Sequence, residues 1–223
     1  MRRLRALVCG DKHERAAHLQ GATAVAGVDE VGRGALFGPV VAAAVILPPR
    51  TRIRGVRDSK QLEPEERLRL DGIIRGVAIA FAIGFADVAT IDAINIRRAS
   101  HQAMLSAIAQ LTPSPDFLLI VAERLDTPCA QKGIIYGDSI SVSIAAASII
   151  AKVYRDAWMC NYHDEYPQYG IASHKGYGTP EHLRALNEYG PTPLHRTTYE
   201  PVRRAMEFRG TCLAPIEPDP ALA

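Results

Sequence analysis

Two adjacent acids, Asp29 and Glu30, end an apolar run that starts at Val25, and a Gly-Arg-Gly turn, Gly32 to Gly34, follows at once. Carboxylates at a strand end, beside a turn with little side-chain bulk, can hold a hard divalent cation and let another backbone come close. A third acid, Asp138, follows a short apolar run at 133–136. Cleavage of a phosphodiester by two cations needs several carboxylates converging on metals about 3.5–4 Å apart. It needs no protein nucleophile. An isolated acid pair is more often a solvated turn, so the case rests on the surrounding pattern. Competing chemistries find little material. No Gly-x-Ser-x-Gly elbow and no Walker-type phosphate loop occurs, and the seven histidines lack metal-ligand spacing. His174 and His195 read as surface loop histidines.

The elements that must position these acids follow from the hydrophobic pattern. Strands are expected at about 24–30 and 38–47, paired as a hairpin across the glycine-rich turn, and at 76–84, 115–121 and 133–136. A short leading helix is expected within 11–20. Another should open at Pro64, with acids in its first turn. A third spans 90–111, and a long apolar one, packed with small residues, 141–162. Past it, 174–180 reads as a loop, followed by a helix to about Asn187 and a last one near 202–208. Residues 50–60 form a basic loop. Strands come first and helices collect at the end, which indicates an α/β layer protein with a mixed sheet and a helical C-terminal appendage.

Composition narrows the class. The chain has 223 residues, 48% hydrophobic and 22% charged, with a formal charge of +2, the profile of an ordinary globular protein able to bury a large core. A near-neutral balance does not exclude nucleic-acid binding, because a phosphate-binding surface is local. The four cysteines form no Cys-x-x-Cys pair, which argues against a zinc site or disulfide framework. The basic start is too short in apolar residues for a signal peptide, and no stretch approaches a membrane span. The expectation is a cytoplasmic protein and, with nothing marking an interface, a monomer.

Four stretches carry a resemblance: Gly27-Val-Asp-Glu-Val-Gly-Arg-Gly34 with Gly38-Pro39; Asp58-Ser-Lys60; Gly137-Asp138 running into Ile144-Ala-Ala-Ala-Ser-Ile-Ile-Ala-Lys-Val-Tyr-Arg-Asp156; and His174-Lys-Gly-Tyr-Gly-Thr179, supported by His195-Arg196. In order and spacing over residues 20–208 the chain resembles bacterial ribonuclease HII of the ribonuclease H-like superfamily. The resemblance implies a ribonuclease H-like mixed five-stranded sheet flanked by helices, with a small helical C-terminal appendage. The expected division is an N-terminal extension at 1–20, a catalytic core at 21–165, the appendage at 166–209 and a disordered tail at 210–223. It further implies cleavage of the RNA strand of RNA/DNA hybrids and nicking on the 5′ side of single ribonucleotides in duplex DNA, as in ribonucleotide excision repair, with two Mg²⁺ or Mn²⁺ ions. By motif, Asp29, Glu30 and Asp138 are three of the family's four metal-binding acids. Gly32, Arg33 and Gly34 match the turn that reads the ribonucleotide's 2′-OH at the RNA–DNA junction. Tyr177 matches a tyrosine that stacks on the following deoxyribose. Ser59 and Lys60, and more weakly Lys175 and Arg196, are phosphate contacts. Asp156 matches a further position, with a structural part beside an arginine.

One departure stands out. The family's remaining acid falls at Val121, seventeen positions before Asp138. A valine cannot ligate a cation. Three readings follow: the chain binds metal and nucleic acid but cleaves weakly or not at all; Glu123, on the same face if the strand continues, supplies the carboxylate; or Asp126 or solvent fills the gap. The expectation is activity retained in kind and reduced by orders of magnitude. The alternatives are a lapsed homologue that binds ribonucleotide-containing duplexes without cutting, and another ribonuclease H-like nuclease, against which the Gly-Arg-Gly turn and Tyr177 argue.

Overall fold

The computed structural model describes residues 9–212, with side chains to Glu207. Helix α1 (Lys12–Leu19) leads into β1 (Val25–Val31) and β2 (Val40–Ile46), an antiparallel hairpin around the glycine-rich turn. Both strands are apolar along most of their length because both faces are covered. Helix α2 (Pro64–Val77) starts with Pro64 in its first turn and Glu65 and Glu66 beside it, where a fixed φ and negative charge suit a helix N-terminus. It persists to Val77, so β3 is Ala80–Ala86 and not 76–84; the first residues of that apolar run close a helix.

The helix expected over 90–111 is two: α3 (Val88–Ile94) and α4 (Ile96–Ala109). Asn95 breaks it at φ 70°, and its side chain accepts hydrogen bonds from the N–H groups of Arg97 and Arg98. Strand β4 (Phe117–Val121) follows. Strand β5 is Ala130–Ile134 and not 133–136: parallel pairing from Phe117↔Ala130 to Val121↔Ile134 sets its register, and Tyr136 then turns left-handed. Asp138 therefore lies in a single-turn helix, α5 (Gly137–Ile140), and not directly after a strand. Helix α6 (Val142–Glu165) comes next.

The five strands form one mixed sheet, ordered β3-β2-β1-β4-β5, with β1 and β4 parallel. Helix α6 approaches β1 so closely that a Cβ on Gly27 would stand 2.1 Å from the backbone carbon of Ser143. Glycine is thus a packing requirement there. The small residues of α6 serve the same approach, and Ala145, Ala146, Ile149 and Ile150 pack with Ala43, Val45, Leu70 and Ile74. Each large aliphatic buried there contributes roughly 1.5–3 kcal/mol. The start of α6 is capped from far away in sequence: Glu14 Oε1 accepts from Ser143 N (3.0 Å), Ser143 Oγ (2.6 Å) and Ser141 Oγ (2.5 Å).

The chain forms two compact units. The first runs to Arg33 and resumes from Pro39 to Trp158; the second holds Gly34–Gly38 and the described residues from Met159 on. In the second, α7 (Ile171–His174), α8 (Pro180–Tyr189) and α9 (Glu200–Cys212) follow the end of α6. Residues Leu36, Leu186, Val202 and Ala205 form its small core. The segment 34–38 is threaded through this unit: Leu36 N donates to Gly176 O, Arg196 N to Leu36 O and Gly38 N to Leu194 O, each at 2.8 Å. Of the tail expected to be disordered over 210–223, residues 210–212 belong to α9 and 213–223 lie outside the described residues, as do residues 1–8. Among the described residues no helix is long and apolar enough to cross a membrane.

Replacing Gly27 by alanine should force α6 off the sheet and destabilise the protein by about 3 kcal/mol or more, read from urea unfolding. An unchanged midpoint would mean that the contact is not as tight as described.

Candidate active site

Asp29 sits in the middle strand of the sheet on the face that carries Gly27, under α6, and is 5% exposed. Burial and the neighbouring charges of Glu30 and Asp138 lift its carboxyl well above the ordinary range, against hydrogen bonds that include one from Ser148 of α6. Ser148 Oγ in turn shares a hydrogen bond with Ser59 Oγ at 2.9 Å. Asp138 is also buried. Lys60 Nζ stands 3.5 Å from Asp138 Oδ2 and 3.6 Å from Asp58 Oδ1. Partial burial opposes the Lys60 charge, but Asp58, Asp29 and Asp138 outweigh it and raise its pKa. The structure thus brings Asp29, Glu30, Asp138 and Lys60 together.

Beside the acids the turn is built around Gly32 at φ 92°, where a Cβ would meet Arg155 Nε at 2.3 Å. Arg155 is fully buried and its Nε donates to Pro39 O at 3.1 Å, so one guanidinium underlies both ends of the excursion. Arg33 Nη1 donates to Glu30 Oε1 at 2.9 Å and reaches Glu123 Oε1 at 3.4 Å.

Val121 closes β4 and packs with Leu119, Val25 and Ile134. The β1–β4 register runs from Val25↔Phe117 to Val28↔Ile120, so the next step sets Val121 beside Asp29. The alternation expected to bring Glu123 to the same face fails, because Ala122 adopts φ 47° and ends the strand. Glu123 turns instead to Arg97 Nη2 and His101 Nε2, each at 3.3 Å, and to Arg33. Burial of Glu123 opposes its charge, but His101, Arg97 and Arg33 outweigh it and hold its pKa low. Asp126 is exposed in the following loop.

Other expectations change on the same grounds. Ser59 is 3% exposed with its hydroxyl on Ser148, so it presents no hydroxyl to a phosphate. Arg196 is fully buried: its Nε and Nη2 donate to Gly38 O at 3.0 and 2.9 Å and its Nη1 to the Tyr199 hydroxyl. It is a tether for the 34–38 segment and not a surface phosphate contact. His195 is likewise fully buried and not a surface loop histidine. Lys175 Nζ lies on Ala172 O and Cys160 Sγ. Asp156 pairs with Lys152 at 2.7 Å and Arg67 at 3.9 Å. Tyr177 bridges Ala35, so the second unit holds it in register with the segment that continues the Gly32–Gly34 turn.

Glu14 lies outside the motifs, and Ser148 and Arg155 lie within one without any sign there of what they hold. Their types are ordinary and their work depends on what the fold brings near. For a divalent cation the donor set is suitable. Three carboxylates crowd one another, Asp29 resists ionisation, and Glu30 Oε2 is buried without a hydrogen-bond partner among the described residues. A cation would relieve all three conditions. Among the described residues no three acidic, histidine or cysteine side chains are already arranged as a closed cage.

Comparison with known proteins assigns the family. The family model described as Ribonuclease HII matches residues 26–202. A Ribonuclease HII of Solibacter usitatus is 54% identical over 90% of this chain and 88% of its own length, and one of Geobacillus kaustophilus 49% over 88% and 75%. The crystal structure of ribonuclease H2 from Pyrococcus horikoshii is similar at a TM-score of 0.72 and 25% identity, covering 83% of this chain and 98% of that one. A Bst-RNase HIII solved in complex with Mn²⁺ shares the fold at 0.61 and 22%, over 86% of this chain and 72% of that one. The chain belongs to the ribonuclease HII family and is a type 2 ribonuclease H, a hydrolytic endonuclease.

Proposed function

We propose that this enzyme hydrolyses the RNA strand of RNA/DNA hybrids and nicks duplex DNA on the 5′ side of a single embedded ribonucleotide. The observation that carries this reading is the cluster of buried Asp29 and Asp138 with half-buried Glu30, beside a turn at Gly32 that no side chain could occupy. Asp29, Glu30 and Asp138 would hold two divalent cations, Mg²⁺ or Mn²⁺, which supply water activation and stabilisation of the leaving oxygen. The chain's own residues do the rest. Lys60, beside Asp138, offers a mobile positive charge to a substrate phosphate. Arg33 fixes Glu30 through its ion pair and is itself partly exposed. The backbone at Gly34, where a Cβ would meet open space, can approach a 2′-OH. Tyr177, in register with Ala35, stacks on the following deoxyribose, where a 2′-OH would crowd the ring. A protein of the ribonuclease HIII type with this fold was solved with Mn²⁺, which favours a divalent cation in the same role.

Val121 occupies the position beside Asp29 from which a fourth carboxylate would converge. We read it as a reduced charge count at the metal site, with cleavage retained and slowed. Glu123 does not compensate, because its carboxylate is engaged by Arg97, His101 and Arg33. Its part is to hold Arg33 jointly with Glu30. Val121 also supports a second reading, a binder of ribonucleotide-containing duplexes without cleavage; a gel shift with no product in Mn²⁺ would select it.

Val121→Asp should raise single-turnover nicking of a one-ribonucleotide duplex by on the order of 100-fold at saturating Mg²⁺. No change would remove Val121 from the metal site. Glu123→Ala should weaken substrate binding while calorimetric Mn²⁺ binding stays as in the parent; loss of Mn²⁺ binding would make Glu123 a ligand after all. The raised pKa of Asp29 makes its ionisation a burden on the metal-free fold. That burden is absent below the unfolded-state pKa of about 4, grows as pH rises and is complete above the raised folded value. Asp29→Asn should therefore abolish nicking yet raise the melting temperature in EDTA at pH 7 by roughly 2–4 °C, with no gain at pH 4. A gain of equal size at both pH values would contradict the account.

A further inference from the structure

The second unit contains a run of histidines that the cleavage chemistry does not use. His182 and His195 are both fully buried, and their Nε2 atoms face each other at 3.1 Å. Their protonation can be deduced from the backbone groups at either end. Thr192 N can only donate, and it lies 2.9 Å from His195 Nδ1, so Nδ1 is an acceptor and the His195 proton sits on Nε2. Tyr177 O can only accept, and it lies 2.9 Å from His182 Nδ1, so that nitrogen carries the His182 proton. His182 Nε2 is then bare and receives the His195 Nε2 proton. The chain is directional: Thr192 N–H to His195, His195 to His182, His182 to the carbonyl of Tyr177. A second proton on either ring would set two donors against each other. Burial also keeps both rings neutral, lowering His182 to about 4 and His195 to about 3. His174 stacks on His182 with ring centroids 4.5 Å apart, donates to Tyr169 O and accepts from Gly176 N, so it fixes the residue before Tyr177. His195 packs edge-on against Phe37, which belongs to the segment that Tyr177 bridges at Ala35.

We propose that His182 and His195 are positioning residues for Tyr177, a neutral relay of fixed tautomers that sets the preference for an RNA–DNA junction over continuous hybrid. This rests on the reading of Tyr177 as the deoxyribose sensor. The relay touches no substrate. It acts by fixing where the Tyr177 backbone, and hence its ring, can stand relative to the segment following Gly34.

The test is the ratio of kcat/KM on a one-ribonucleotide duplex to kcat/KM on a uniform RNA/DNA hybrid, measured with the full chain in Mg²⁺. His195→Leu should lower that ratio at least about tenfold, since a displacement of about 1 Å at a positioning group has effects of this size. Cleavage of the uniform hybrid should be little changed. His195→Gln should restore the ratio, because an amide presents an acceptor towards Thr192 and a donor towards His182. In a Tyr177→Ala background, His195→Leu should have no further effect. An equal fall on both substrates, failure of the glutamine to rescue, or an undiminished effect without Tyr177 would overturn the relay. If Tyr177→Ala alone leaves the ratio unchanged, the sensor reading itself fails, a result distinct from the others. Nitrogen-15 shifts of the wild-type histidines give a check that requires no variant to fold: His182 protonated on Nδ1 and His195 on Nε2 are expected, and any other pair of tautomers refutes the relay.

Discussion

Helix α6 rests on β1 backbone to backbone at Gly27, and most of the site depends on that contact. The approach brings Ser148 within reach of Asp29 and Ser59, and two turns later it sets Arg155 under Gly32 and Pro39. A single bulky residue on either side of the contact would shift all of these together. The same helix is held at its start by Glu14, whose carboxylate satisfies Ser143 N–H and two serine hydroxyls. A negative charge there also suits the positive end of a 24-residue helix. The short helix α1 is therefore part of the frame that orients the acids.

Against this rigid frame the acids are under electrostatic stress. Asp29 is buried beside two other carboxylates, and Glu30 keeps one oxygen without a hydrogen-bond partner among the described residues. Lys60 and Arg33 offset only part of the repulsion, and both remain partly exposed. Stress of this kind is stored by the surrounding packing and released by a cation.

Much of this was legible in the sequence, and the failures have identifiable causes. Strands β1, β2 and β4 are apolar runs bounded by turn residues, and α6 is marked by its small side chains. Strand β5, Ala-Gln-Lys-Gly-Ile, is a polar sheet edge whose limits come from pairing with β4. The break at Asn95 has no periodic signature, because a left-handed cap replaces one residue without disturbing the apolar spacing. The acids of the candidate site stand out in the sequence because their motif is local. Arg196, Ser59 and His195 are buried although polar residues are usually exposed, and only tertiary packing reveals the groups that satisfy them. Of the three readings of Val121, the one through Glu123 needs the strand to continue, and Ala122 ends it.

The segment Gly34–Gly38 has a consequence for the order of biosynthesis. Its partners at Gly176, Leu194 and Arg196 come much later in the chain, and 158 residues separate Gly38 from Arg196. At roughly 5–20 residues per second on a ribosome, the segment waits roughly 8–30 s for them. During that interval Ala35, Leu36 and Phe37 have none of their native strand pairing, in the middle of a hairpin whose two arms can already close. The nascent chain thus completes its sheet around an unfinished loop. A chain that stops after Trp158 would leave that loop apolar and unpaired, a surface that invites capture by other chains.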